Sequence, residues 1–279
     1  MRLRLEPVAE GASPPRPAPP RASMDPPLQC EISDSIAEIS LARPPVNALD
    51  LRLLERLIET LRQAAADRNV CAVVLTSALP GRFCAGLDLR ELLDQSETQV
   101  RRYLEKLYVE LGDVQYNLGK PSIAAVNGAA RGGGMTLAIS CDVLIAGEST
   151  TFGYPEIDLG LLPAIHFAHL PGIVGRHRAF ELLFSGRSFG AEEARSLGLA
   201  SRVVPDDKVR SEALALARHF AAKPLTAMRL GRAAFMHAND YRRKIADAVD
   251  VFCNVVTSDD AQEGLRAFLE KRPPRWSAS

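Results

Sequence analysis

Three short apolar runs, Cys71–Thr76, Ser122–Val126 and Val143–Ala146, constrain this chain more than any other feature of its sequence. Each has the length and β-branched content of a strand buried on both faces. Helical stretches separate them. Asp50 precedes Leu53, Leu54, Leu57, Ile58 and Leu61, which recur at helical spacing to about Ala66, and a longer helix is predicted over 97–118. Strands alternating with helices need crossover connections, so the core is predicted to be α/β. Upstream, Cys30–Ser33 and Ile36–Leu41 flank Asp34-Ser35 and predict a hairpin.

Composition narrows the class further. A chain of 279 residues, 47% hydrophobic, has ample material for one large domain or one domain with an appendage. Its 34 basic and 34 acidic side chains balance, which gives no general attraction to nucleic acid or anionic lipid. No apolar run approaches the ~20 residues that span a bilayer. The five cysteines, Cys30, Cys71, Cys84, Cys141 and Cys253, are odd in number and lack metal-type spacing. A reduced cytoplasmic protein with no metal, no membrane segment and no nucleic-acid partner is expected.

Residues 1–27 stand apart. They hold eight of the nineteen prolines and are expected to be disordered or extended. A core over 28–200 follows. From Arg178 onward the pattern is almost wholly helical, and 201–279 is expected to form a helical region that covers the core or meets another subunit.

Two glycine-bearing stretches follow predicted strands: Gly81-Arg82-Phe83-Cys84-Ala85-Gly86-Leu87-Asp88, and Asn127-Gly128-Ala129-Ala130-Arg131-Gly132-Gly133-Gly134. Glycines there let backbone approach a ligand and leave N–H groups free, and a helix N-terminus behind the second adds positive partial charge. Two such loops could converge on one developing negative charge. Each is equally readable alone as a tight turn. The second stretch lacks the spacing of a dinucleotide fingerprint, Gly112 to Gly119-Lys120 runs into Pro121 and lacks that of a phosphate-binding P-loop, and no serine-hydrolase elbow occurs in the sequence.

With these motifs in view, the chain from about Leu28 to Trp276 resembles the enoyl-CoA hydratase/isomerase, or crotonase, superfamily. The resemblance rests on RPPVNALD, GRFCAGLDL, PSIAAVNGAARGGGMTLAISCDVLIAGESTTFGYPEIDLGLLP and AQEGLRAFLEKRPPRW, in that order. It implies a spiral of ββα turns, a C-terminal helical region that trimerises, often as a dimer of trimers, and an acyl-CoA thioester as ligand with no separate cofactor. It also implies an oxyanion hole on the backbone N–H groups of Ala85 and Gly133, with CoA contacts along Ala85, Gly86, Leu87 and Asp88. Arg82 and Lys271, beside Arg272, are candidates to meet CoA phosphates by charge.

The acid–base positions depart from the family's hydratases, which use two glutamates. Thr136 stands at the first position and Glu156 at the second. A threonine hydroxyl has little basicity near neutral pH, whereas moving a double bond from the 3 to the 2 position needs only one carboxylate. The resemblance therefore implies an isomerase-type reaction on Glu156, whose pKa an apolar pocket would raise. Thr136, Asp158 and His166 remain possible accessories. The alternatives are hydration, thioester hydrolysis or carbon–carbon cleavage with Asp158 or His166 recruited, and a non-catalytic acyl-CoA binder. His166 and His169 lie three apart, on one face if helical.

Overall fold

The computed structural model describes residues 26–240 and 242–276. All but the last two residues of the proline-rich segment therefore lie outside the described residues. Strands β1 (Leu28–Ser33) and β2 (Ile36–Leu41) pair antiparallel with Ser33 opposite Ile36. Asp34 and Ser35 turn between them with φ of +50° and +61°, the mirror-image geometry that suits the right-handed twist of a two-residue hairpin. Helix α1 (Leu51–Ala66) then crosses over to β3 (Ala72–Ser77), parallel to β2. The Asp50 carboxylate accepts the Leu53 N–H at 2.8 Å and caps α1, while its predicted leucine stripe is buried. At the other end the Lys120 ammonium donates to the carbonyls of Ala64 and Asp67, which satisfies orphan acceptors of the last turn.

Each later turn of the chain contributes two strands before its helix. After β3 comes β4 (Gly81–Cys84); β5 (Ser122–Val126) is followed by β6 (Gly128–Arg131), and β7 (Val143–Gly147) by β8 (Thr151–Gly153). With β9 (Ser188–Gly190) and β10 (Arg202–Val204) they build two sheets. The larger has the order β1-β2-β3-β5-β7-β10 and the smaller β4-β6-β8-β9. Helix α2 (Glu97–Glu105), a π-helical segment (Lys106–Glu110) and α3 (Leu111–Tyr116) follow β4, and α4 (Gly133–Ile139) follows β6. After β8 come α5 (Ala164–Val174) and α6 (Arg176–Ser185), and α7 (Ala191–Ser196) joins β9 to β10. This is the α/β spiral of ββα turns that the resemblance implies.

Two sequence expectations need correction. The glycine stretches are not loops throughout, since Gly81–Cys84 and Gly128–Arg131 are the parallel strands β4 and β6. Their small residues carry no apolar alternation, so only the pairing of two backbones identifies them. The boundary at 200 also cuts through the core. Strand β10 pairs with β7, and helix α8 (Val209–Ala221) buries Val209, Ala213, Leu214 and Ala217 against Ile36, Val74, Ile123 and Ile145. Residues 201–221 thus belong with the sheet.

Beyond it lie α9 (Leu225–Ala238), α10 (Arg243–Val256) and α11 (Asp259–Glu270). Arg232 ties α9 to the core through the Asp142 carboxylate and the carbonyls of Gln115 and Tyr116, at 2.8–2.9 Å. Helix α11 lies over the turn Pro155–Leu159, where Gly264 lets the two backbones touch. No described helix is long and apolar enough to cross a membrane. Among the described residues, no group of three His, Cys, Asp or Glu side chains is placed to hold a metal ion.

Candidate active site

The segment 43–50 organises the first glycine stretch. The buried Asn47 amide donates to Ser77 Oγ at 2.7 Å and to the Phe83 carbonyl at 2.8 Å. Arg43 pairs with Asp50 at 2.9 Å and with Asp88 at 2.8 Å. Leu49 and Leu87 then form a single parallel bridge. Its bonds run from the Leu49 N–H to the Gly86 carbonyl, 2.8 Å, and from the Asp88 N–H to the Leu49 carbonyl, 3.0 Å. Because residues 86 and 88 face Leu49, the N–H of Leu87 turns the other way.

That register corrects one expectation. The Ala85 N–H donates to the Val46 carbonyl at 3.0 Å, so it is already used inside the protein. The free N–H of this stretch belongs to Leu87, two residues on. Gly86 brings the two stretches together. With φ of +93°, a Cβ there would lie 2.8 Å from the Arg131 carbonyl oxygen and 3.2 Å from the Gly133 nitrogen.

In the second stretch, Gly132 holds φ +47° and donates its N–H to the Gly153 carbonyl at 3.1 Å. Its own carbonyl accepts from Met135 at 2.8 Å and Thr136 at 3.1 Å, which starts α4. Gly133 is the first residue of that helix, where an N–H has no intrahelical acceptor. Neither the Leu87 nor the Gly133 N–H donates to an acceptor among the described residues. Both residues line a cavity of 490 Å³, together with Glu156, Leu161, Phe268 and the glycines beside them.

Glu156 enters this cavity from the turn Pro155–Leu159, which Pro155 opens at a position that lacks a helical partner anyway. The residue is 7% exposed. Its Oε1 would lie 2.7 Å from a Cβ on Gly132, and its Oε2 has no hydrogen-bond partner in the protein. Burial without a cation pushes the carboxyl pKa from 4.5 up to about 7. Burial raises the pKa of the Tyr108 and Tyr154 phenols, and the charge of Glu156 raises both further.

The other candidates fall in different places. Asp158 lines the cavity at its exposed rim, with its carboxylate against Gly186. Asp88 also lines the cavity, but its carboxylate is engaged by Arg43 and Arg90 and anchors the loop. Thr136 sits one turn into α4 with its hydroxyl buried and without a protein partner. His166 is fully buried on α5 and is not part of the cavity lining; its Nδ1 lies 3.2 Å from His169 Nε2, so the expected shared face is present. Arg82 is exposed at the start of β4, and Lys271 is exposed past the end of α11; neither lines the cavity. The cations that do are Arg90 and Arg272, the latter held by Glu263.

Sequence reasoning missed Leu87 as the free donor, Arg90 as a cavity cation, and the phenols around Glu156. A signal existed for Tyr154, which lies two residues before Glu156 and caps the same turn. The Leu87 orientation depends on pairing with Leu49 and had no local signal.

The family described as enoyl-CoA hydratase/isomerase matches residues 31–279. The mouse mitochondrial methylglutaconyl-CoA hydratase is 35% identical over 237 residues, covering 82% of this chain and 75% of that protein. A probable enoyl-CoA hydratase of Bacillus subtilis is 35% identical over 254 residues, covering 89% and 98%. Among solved structures, the human mitochondrial delta3-delta2-enoyl-CoA isomerase superposes with a TM-score of 0.81 at 29% identity, covering 88% of this chain and 97% of that one.

Proposed function

The chain belongs to the enoyl-CoA hydratase/isomerase family, and from that premise we propose that it shifts a double bond of an acyl-CoA thioester from the 3 to the 2 position. One observation carries this reading. Glu156 is a buried carboxyl with a pKa near neutrality beside two free N–H groups, and Thr136 stands where the resemblance puts the hydratases' other glutamate. The Glu156 carboxylate takes a proton from the carbon beside the thioester carbonyl. The resulting enolate oxygen is held by the N–H groups of Leu87 and Gly133, each worth about 2.7–4 kcal/mol when such a donor is removed. The protonated carboxyl then returns its proton two carbons further along. A base with a pKa near 7 is ionised enough to accept and acidic enough to donate.

Hydration is the second reading, favoured by the names of the mouse and Bacillus proteins. A hydrolase or carbon–carbon lyase built on Asp158 or His166 has less support, because the first sits at the exposed rim and the second is sealed behind the cavity wall. Retention of a buried Glu156 argues against a pure binder. The CoA phosphates are assigned to Arg90 and Arg272, and no cofactor beyond the substrate's own coenzyme A is proposed.

A trimer, or a dimer of trimers, is proposed for the assembly. Helix α9 buries only Arg232, leaving Leu225, Leu230 and Phe235 exposed, and Phe167, Phe180 and Phe184 stack on the surface of α5 and α6. Such faces suit a subunit interface. A cytoplasmic location is retained as a proposal, set against the mitochondrial one in the names of the mammalian relatives.

The experiment compares 3-enoyl-CoA isomerisation with 2-enoyl-CoA hydration. Wild type is expected to isomerise faster than it hydrates. Glu156→Gln is expected to lose about 10²–10⁴-fold in kcat, the usual contribution of a positioned acid–base group. Calorimetric binding of the thioester is expected to survive the change, because the oxyanion donors are main-chain groups. Faster hydration than isomerisation, or turnover retained in Glu156→Gln, would refute the proposal.

A further inference from the structure

Behind the catalytic carboxyl lies a set of buried polar atoms that the proposed reaction does not use. Thr136 Oγ1, Tyr154 O–H, His166 Nε2 and Glu156 Oε2 are each sealed from solvent and without a hydrogen-bond partner in the protein. They come from three separate parts of the chain, α4, the turn after β8, and α5, and these parts are joined through the Gly132 main chain and the ring of Tyr154. Glu156 Oε1 packs on the face of Gly132 where a Cβ would stand, and the Thr136 N–H donates to its carbonyl. The Gly132 N–H donates to the carbonyl of Gly153, the residue before Tyr154. The His166 ring meets Tyr154 edge-on at 4.5 Å between ring centroids.

Four such atoms on residues linked in this way are uncommon. An unpaired buried donor or acceptor is costly, and native proteins resolve the cost with a partner or an internal water. His166 is also fixed from its far side, since its Nδ1 and His169 Nε2 lie 3.2 Å apart, one ring donating and the other accepting. Burial keeps both rings in the neutral form.

We propose that these four atoms share one internal hydration site behind Glu156, and that Tyr154 and His166 are positioning residues that act on the Glu156 carboxyl through it. The ligand is water, the small molecule that several convergent donors and acceptors in a sealed polar space select. In this arrangement the water holds Oε2 so that Oε1 faces the cavity. The inference rests on Glu156 as the acid–base of the proposed reaction.

The test reads Glu156 directly. An infrared difference spectrum, wild type minus Glu156→Gln at a pH where the carboxyl is protonated, isolates its C=O stretch. In Tyr154→Phe and in His166→Phe that band is expected to move to higher frequency, as a hydrogen-bond partner is lost. In both variants kcat is expected to fall about ten-fold or more, the size of one lost hydrogen bond to a charged group, with KM for the thioester unchanged. A high-resolution crystal structure is expected to show an ordered water within hydrogen-bond distance of Oε2, displaced in Tyr154→Phe. A band unmoved by either substitution, or no ordered water at Oε2, would overturn the inference. Tyr154→Phe removes a single atom and keeps the test decisive if His166→Phe does not fold. Failure of the reaction assignment is a separate result, because it appears as turnover retained in Glu156→Gln whatever the band does.

Discussion

Replacing Glu156 with glutamine is expected to make this protein more stable as well as inactive, by an amount that depends on pH. Burial favours the neutral carboxyl, so the folded chain binds a proton more tightly than the unfolded one. Below pH 4.5 both states are protonated and the residue contributes no pH-linked cost. As pH rises the unfolded state ionises first, the cost to the fold grows, and it levels off above the folded value. With the folded pKa at about 7 against 4.5 and about 1.36 kcal/mol per unit, the plateau is about 3.4 kcal/mol. At pH 5.5 the same relation gives about 1.4 kcal/mol. Glutamine keeps the shape and carries no charge, so the stability gained by Glu156→Gln should widen by about 2 kcal/mol between pH 5.5 and pH 8.5. At about 2–4 °C per kcal/mol for a chain of this size, that is a widening of about 4–8 °C in Tm. Calorimetry of both proteins at one fixed protein concentration supplies the measurement, since an oligomer's Tm depends on concentration. A Tm difference that stays constant across this range, or narrows with rising pH, would mean that Glu156 is not held neutral by burial.

Two further outcomes are expected. Gly132→Ala should destabilise the protein by about 1–3 kcal/mol and strongly reduce turnover, because φ +47° strains any side chain and the new methyl group would sit 2.7 Å from Glu156 Oε1; a chemical denaturation curve with an unchanged midpoint refutes this. Light scattering should report three or six chains per particle at micromolar concentration, and charged substitutions at Leu230 and Phe235 on α9 should lower that number, whereas a monomeric wild type would reject the assembly.

Much of this protein is legible in one dimension because local physics writes it there. The Asp50 cap with its leucine stripe, the Asp34-Ser35 turn and the apolar runs at β3, β5 and β7 each declare themselves within a dozen residues, through periodicity, capping and burial. The motifs around Gly86, Gly132 and Glu156 likewise mark where backbone must approach a ligand and where a carboxyl survives. What the tertiary structure alone decides depends on pairing between distant segments. The strands β4 and β6 exist because two small-residue backbones lie side by side. The free donor is Leu87 rather than Ala85 because Leu49, nearly forty residues earlier, sets which N–H groups face inward. The neutral poise of Glu156 follows from the same cause: a carboxyl's pKa is set by what surrounds it, and Gly132, Tyr108 and Tyr154 surround it only once the spiral has closed.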